Sequence, residues 1–178
     1  LRLFDTLLLA GAPVIAMADM EAETLAALRD IAVRRRLDLQ LVGVGGDALA
    51  LEAARPLPEG QEITFRLAGA RHEVLLPLPG RFQADNALLA LMLAIATGVT
   101  DQAAMAALAR LQGVRGRMER ASILPNGAAI YVDYAHTPDA LTRLLAALRP
   151  HVARRLHVLF GAGGDRDPGK RPLMGRAA

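Results

Sequence analysis

Arginines, aspartates and a histidine at the ends of apolar runs are the groups in this sequence that could do chemistry. The densest set lies in Phe160-Gly161-Ala162-Gly163-Gly164-Asp165-Arg166-Asp167-Pro168-Gly169-Lys170-Arg171-Pro172. Its glycines let a backbone turn sharply and approach a ligand closely. The apolar run before it, His157-Val158-Leu159-Phe160, reads as a buried strand. A strand ending in a glycine turn and a charge cluster sits where open α/β sheets bind ligands. Arg166 there can hold a carboxylate; an internal ion pair with Asp165 or Asp167 is the plainer alternative. A second set, Asp133 and His136, follows the run Ala129-Ile130-Tyr131-Val132. Asp133 can accept hydrogen bonds from ligand hydroxyls or close an Asx-type turn. A loop histidine such as His136 is more often structural than catalytic. Arg117, in Gly113-Val114-Arg115-Gly116-Arg117-Met118-Glu119, suits a phosphate, because a guanidinium pairs with it bidentately. A hinge or surface arginine is the alternative reading.

These groups need elements to position them. Thr137 is a good N-cap and Pro138 suits the first helical position. Leu141, Leu144, Leu145 and Leu148 then recur at helical spacing. Asp133 and His136 therefore fall on a strand-to-helix loop, and Leu156–Gly164 would complete a βαβ unit with both loops at one sheet edge. Earlier in the chain, Pro13–Ala18 reads as a buried strand, Asp19–Arg36 as a helix and Leu39–Val44 as a short strand ended by Gly45-Gly46. Ile63, Phe65 and Leu67 alternate with polar residues and, with Gly69 and Glu73–Leu76, predict a hairpin. Asn86–Thr97 reads as an apolar helix that Asn86 could cap, and Thr100 caps another through Leu111. Gly113–Gly116 breaks the pattern and marks a domain boundary.

Composition narrows the function classes. The chain has 178 residues, 53% of them hydrophobic, which allows a sizeable core, and no apolar run long enough to span a bilayer. The absence of cysteine excludes disulfides and thiolate metal sites within it. A net charge of +3 is mild, and the basic residues are almost all arginine. The run Arg34-Arg35-Arg36 ends a helix, where positive charge is favoured electrostatically, so nucleic-acid binding is not indicated.

Four segments, in order and at consistent spacing, carry a resemblance: Gly80-Arg81-Phe82 through Asn86, Gly113–Glu119, Asp133-Tyr134-Ala135-His136-Thr137-Pro138, and Gly163-Gly164-Asp165-Arg166-Asp167 through Met174. Together they resemble the Mur ligases, in the branch that adds the third amino acid of the peptidoglycan stem peptide. The resemblance covers essentially the whole chain. It implies an α/β fold, with residues 1–113 the C-terminal part of a P-loop-type central, ATP-binding domain. Residues 114–178 would begin a Rossmann-like C-terminal domain. It implies ATP-dependent amide-bond formation through an acyl-phosphate, joining meso-diaminopimelate to UDP-N-acetylmuramoyl-L-Ala-D-Glu in the bacterial cytoplasm. In that family the residue matching Arg117 contacts the γ-phosphate, Asn86 the adenine, Asp133 the ribose, and His136 the nucleotide. Arg166 matches the arginine that binds the incoming amino acid. ATP and Mg2+ are the implied cofactors, with metal ligands outside this segment.

No Gly-x-x-x-x-Gly-Lys-[Ser/Thr] loop occurs here, since Lys170 is the only lysine. The resemblance places that loop, and a carbamylated lysine, before Leu1; the expectation is a fragment that does not ligate alone. The chain departs from the family pattern at Met17-Ala18-Asp19-Met20, where Asn-Ala-Asp-Asp is usual, and at Gln83, where asparagine is usual. A non-catalytic Rossmann-like nucleotide-binding module remains an alternative. So does a related ligase such as folylpolyglutamate synthetase, which the Gly-Asp-Arg-Asp-x-Gly-Lys-Arg segment argues against.

Overall fold

The computed structural model describes residues 1–162, 167 and 169–178. The fold is mixed α/β. A five-stranded sheet of order β1-β2-β3-β4-β5 is followed by a two-stranded sheet, β6-β7. Strand β1 (Pro13–Met17) runs parallel to β2 (Asp38–Gly43), the two joined through helix α2 (Ala22–Arg35). A short helix α1 (Arg2–Thr6) precedes them. Leu28, Ile31 and Ala32 of α2 pack on Val14, Ala16 and Leu41 to close one core. Arg34 and Arg35 occupy the last turn of α2 and Arg36 caps it in the left-handed conformation, φ 55°. Arg34 pairs with Asp5 at 3.2 Å and Arg35 donates to the Leu8 carbonyl at 2.8 Å. The arginine run is thus a helix terminus.

Strands β3 (Leu49–Leu57), β4 (Gly60–Leu67) and β5 (Ala70–Leu76) form an antiparallel meander. The β4–β5 turn places Ala68 and Gly69 at φ 49° and 80°, the positive pair that two-residue hairpins with native twist require. The expected hairpin is present. Strand β3, with its register shift between Leu51 and Ala53, was not expected. Helix α3 (Arg81–Ala96) lies over this sheet and buries Ala84, Ala87, Leu88, Leu91 and Met92. That spacing makes one continuous apolar stripe, which meets Ile63, Phe65 and Leu76 in the larger core. Helix α3 begins at Arg81, with Gly80 at its N-cap. Asn86 is therefore a helix-interior residue and not a cap, and the start expected at 86 is corrected. Thr100 does cap α4 (Asp101–Leu108), accepting from the Ala103 amide.

Strands β6 (Glu119–Ile123) and β7 (Ala129–Val132) pair antiparallel. Thr137 accepts from the Ala140 amide and Pro138 opens helix α5 (Pro138–Leu148), which buries Leu141 and Leu148. A 3-10 turn at Arg149–His151 follows, then α6 (Lys170–Ala177), whose Met174 is buried. One expectation fails here. His157–Phe160 forms no strand, and Leu159 is fully exposed. An apolar run becomes a strand only where a neighbour supplies hydrogen bonds and cover; β7 pairs with β6, and no described strand lies beside 157–160. The βαβ unit is consequently not formed among the described residues.

Candidate functional site

The site grows from two backbone loops that meet. The first, Pro77–Gly80, links β5 to α3. Gly80 holds φ 90°, and a Cβ there would lie 3.2 Å from Met118 Sδ and Cε and from the Phe82 ring. The positive φ favours glycine, and the tight approach to Met118 and Phe82 adds to that preference. The loop is pegged from below by Gln61, which is 2% exposed. Its Nε2 donates to the carbonyls of Leu78 at 2.9 Å and Gly80 at 2.8 Å. From this anchored start α3 carries Phe82, Gln83 and Asn86 along one side of a cleft of about 230 Å³.

The second loop is Gly113–Glu119. Two bonds tie it to the β7–α5 connection, one to the Asp133 side chain and one between backbones, and one further side-chain bond braces each segment internally. Asp133 Oδ2 accepts from the Met118 amide at 2.8 Å and Oδ1 from the Ala135 amide at 2.7 Å. Glu119 Oε2 accepts from the Gly116 amide at 2.8 Å, and the Tyr134 amide donates to the Gly116 carbonyl at 2.9 Å. Met118 is buried with φ 46°, an unfavourable conformation for a side chain held by these bonds. The outcome is that Arg117 is presented on the opposite wall of the same cleft, with Gln112, Gly113 and Val114. Its guanidinium carbon sits 5.5 Å from the Tyr134 ring centroid, within cation–π range. Arg117 is exposed and, among the described residues, is in none of the ion pairs.

Asn86 and Arg117 are thus brought together. Asp133 stands behind Arg117 as the clamp on the Met118 amide, with the Asx-turn geometry that its bond to Ala135 defines. His136 meets the Tyr134 ring edge-on, centroids 5.1 Å apart, and its Nδ1 lies 3.1 Å from the Tyr134 carbonyl. Arg117, Tyr134 and His136 form a continuous cation–aromatic row. Arg166 lies outside the described residues.

A second cleft, about 270 Å³, adjoins the first and shares Leu78, Gln112 and Gly113 with it. Glu59, Met118, Arg120 and Tyr131 are among its other lining residues. Burial pushes the Tyr131 phenol above its ordinary pKa; Glu59 adds to this and Arg120 opposes it. Sequence reasoning missed three members of this assembly. Tyr134 was visible inside its motif but unassigned. Gln61 and His151 act on backbone atoms far away in sequence, and no local pattern marks them.

The chain matches known proteins along its length. Residues 116–178 fit the family described as Mur ligase, glutamate ligase domain. The UDP-N-acetylmuramoyl-L-alanyl-D-glutamate--2,6-diaminopimelate ligase of Caulobacter vibrioides is 47% identical over 175 residues, 98% of this chain and 36% of that protein. That of Rhizobium meliloti is 44% identical over 180 residues, again 36% of its length. This chain therefore spans about a third of the curated relatives it matches. A solved structure of a ligase of that name superposes with TM-score 0.69 at 30% identity, covering 94% of this chain and 34% of the other. Folylpolyglutamate synthetase from Lactobacillus casei shares the fold, with TM-score 0.68 at 22% identity over 83% of this chain and 37% of its own.

Proposed function

We propose a function for this chain from its family: it belongs to the Mur ligases, and its site serves ATP-dependent amide-bond formation. The substrates are the nucleotide-linked UDP-N-acetylmuramoyl-L-Ala-D-Glu and meso-diaminopimelate, and the setting is peptidoglycan synthesis in the bacterial cytoplasm. The names of the similar ligases support this substrate pair. No described helix is long and apolar enough to cross a membrane. We place the boundary between the two parts of the chain at residues 113–114.

A carboxylate is a poor electrophile. Transfer of the γ-phosphoryl group of ATP makes it an acyl-phosphate, and the incoming amine then displaces phosphate to form the amide. The chain's own residues are assigned the nucleotide end of this reaction. Asn86 meets the base edge. Arg117 neutralises charge on the transferring phosphoryl group, where a fixed cation lowers the barrier. Tyr134 fixes the guanidinium plane, Asp133 fixes the loop that bears it and offers its remaining lone pairs to ribose hydroxyls, and His136 extends the row. Arg166 holds a carboxylate of diaminopimelate. ATP enters with Mg2+, and we assign no metal ligand among the described residues.

The observation that carries the reading is the convergence of Asn86 and Arg117 on one cleft from elements on either side of residue 113. The test is phosphate release by the full-length protein, followed with ATP, the UDP-linked dipeptide and meso-diaminopimelate together and with each omitted. Release should require all three. Release with glutamate and a folate in place of the peptide substrates, and none with diaminopimelate, overturns the assignment in favour of the folylpolyglutamate reading.

A further inference from the structure

The loop before α3 is gripped from two directions, and one grip comes from the far part of the chain. His151, in the 3-10 turn after α5, reaches back to the end of β3, at the β3–β4 turn, and to the loop that follows β5. Its Nε2 is 2.9 Å from the Gly80 amide, and its Nδ1 is 2.7 Å from the Leu57 carbonyl. The geometry sets the chemistry. Gly80 N–H can only donate, so Nε2 carries the lone pair. Leu57 C=O can only accept, so Nδ1 carries the proton. A neutral imidazole in this one tautomer satisfies both partners. These partners are 71 and 94 residues distant in sequence.

The contact matters because of what Gly80 begins. It is the N-cap of α3, and its amide is among the helix-start donors that need a partner outside the helix. No side chain of α3's own N-terminus caps it. Gln61 holds the carbonyls of the same loop and Met118 packs against Gly80. The angle at which α3 leaves the sheet, and with it the placement of Phe82, Gln83 and Asn86 in the cleft, is therefore fixed jointly by β4 and by the turn after α5. Leu78 in this loop also lines both clefts, so the loop is the wall between them.

We propose that His151 is a positioning residue: by accepting the Gly80 amide and donating to the Leu57 carbonyl, it couples the docking of the C-terminal part of the chain to the shape of the nucleotide cleft. It touches no reacting atom. The inference rests on the assignment of that cleft to ATP, so the experiment has one arm that depends on that assignment and one that does not.

Three full-length variants separate the two bonds. His151→Asn keeps an amide N–H near the place of Nδ1 and loses the group at Nε2. His151→Gln sets an amide oxygen near the place of Nε2 and loses the donor at Nδ1. His151→Ala loses both. In the first arm, amide hydrogen exchange at Gly80 is measured on the unliganded proteins. Protection should fall in the Ala and Asn variants and be retained in the Gln variant; unchanged protection in His151→Ala overturns the latch. In the second arm, steady-state ligation is measured. The ATP KM should rise about fivefold in the Ala and Asn variants, the worth of one hydrogen bond. It should stay near wild type in the Gln variant, with the diaminopimelate KM unchanged throughout. A uniform drop in kcat at constant ATP KM indicates lost folded enzyme only and refutes the coupling. A wild type that releases no phosphate refutes the ligase reading instead, and the exchange arm then decides the latch by itself.

Discussion

Replacing Gln61 by leucine isolates what the buried amide contributes. The side chain is 2% exposed and its Nε2 serves the Leu78 and Gly80 carbonyls at 2.9 and 2.8 Å. Leucine fills a similar volume and supplies no donor, so cavity formation is a minor part of the change. The two acceptors are not equally affected. The Gly80 carbonyl also accepts from the Gln83 amide at 2.9 Å and keeps that partner. The Leu78 carbonyl loses its side-chain donor, and Leu78 is 9% exposed, so water does not readily take over. One stranded buried acceptor costs about 1–3 kcal/mol, and about 2 kcal/mol is the expected loss. For a chain of this size that corresponds to a Tm lower by about 6 °C. Gln61→Glu should lose more at neutral pH, because it turns a donor into a carboxylate facing two carbonyl oxygens. The assay is thermal unfolding followed by circular dichroism. A Tm within about 1 °C of wild type for Gln61→Leu, too small for any lost buried hydrogen bond, would show that the loop does not depend on this peg and would undercut the account of the cleft.

Further outcomes follow from the site and its frame. Arg117→Ala should cost about 3 kcal/mol in the chemical step, on the order of 100-fold in kcat, and an unchanged kcat with only a raised diaminopimelate KM removes Arg117 from the phosphate. Arg166→Ala should raise the diaminopimelate KM while leaving the ATP KM in place; equal diaminopimelate values before and after the change refute the carboxylate assignment. Thr137→Ala should lower stability by about 1 kcal/mol through loss of the α5 cap, and Thr137→Ser should restore it; equal melting curves for Ala and Ser contradict a capping role. The Glu52 carboxyl, hydrogen-bonded by Arg66 and Arg71, is held below its ordinary pKa. Its contribution to stability is therefore present above the unfolded-state value and lost as pH falls through the folded one. An NMR titration of Glu52 should show a lowered midpoint that rises toward normal in about 1 M salt, where exposed pairs are screened; a midpoint at or above the ordinary carboxylate value contradicts the pairing.

The sequence was legible where periodicity and capping chemistry agree. The apolar helix expected over Asn86–Thr97 and the caps at Thr100 and Thr137 are local patterns, and the structure contains them, with the helix starting earlier at Arg81. The start of α3 was misplaced because Gly80-Arg81 offers no side-chain cap; the helix begins there on account of Gln61 and His151. Strand β3 escaped notice because its alternation breaks at the register shift after Leu51 and runs into Ala53-Ala54-Arg55-Pro56. The run 157–160 misled in the opposite sense: hydrophobicity states a preference for burial, and the partner that would satisfy it is not written in the run.

The site divides along the same line. Asn86, Arg117, Asp133 and His136 were named from short motifs, yet the motifs do not say how four residues from three segments meet. Two of them, Asn86 and Arg117, line the cleft; Asp133 and His136 reach it through the Met118 amide and the Tyr134 ring. Asp133 and Glu119 hold the Arg117 loop, while the Pro77–Gly80 loop on the other side is held by Gln61 and His151, which work on backbone amides and carbonyls that every residue possesses. A side chain that recognises backbone has no complementary residue type to betray it in sequence. For that reason the chemistry of the site was easier to read than its scaffolding, and variants that keep every motif but disturb Gln61 or His151 are the sharper probes of how the cleft is held.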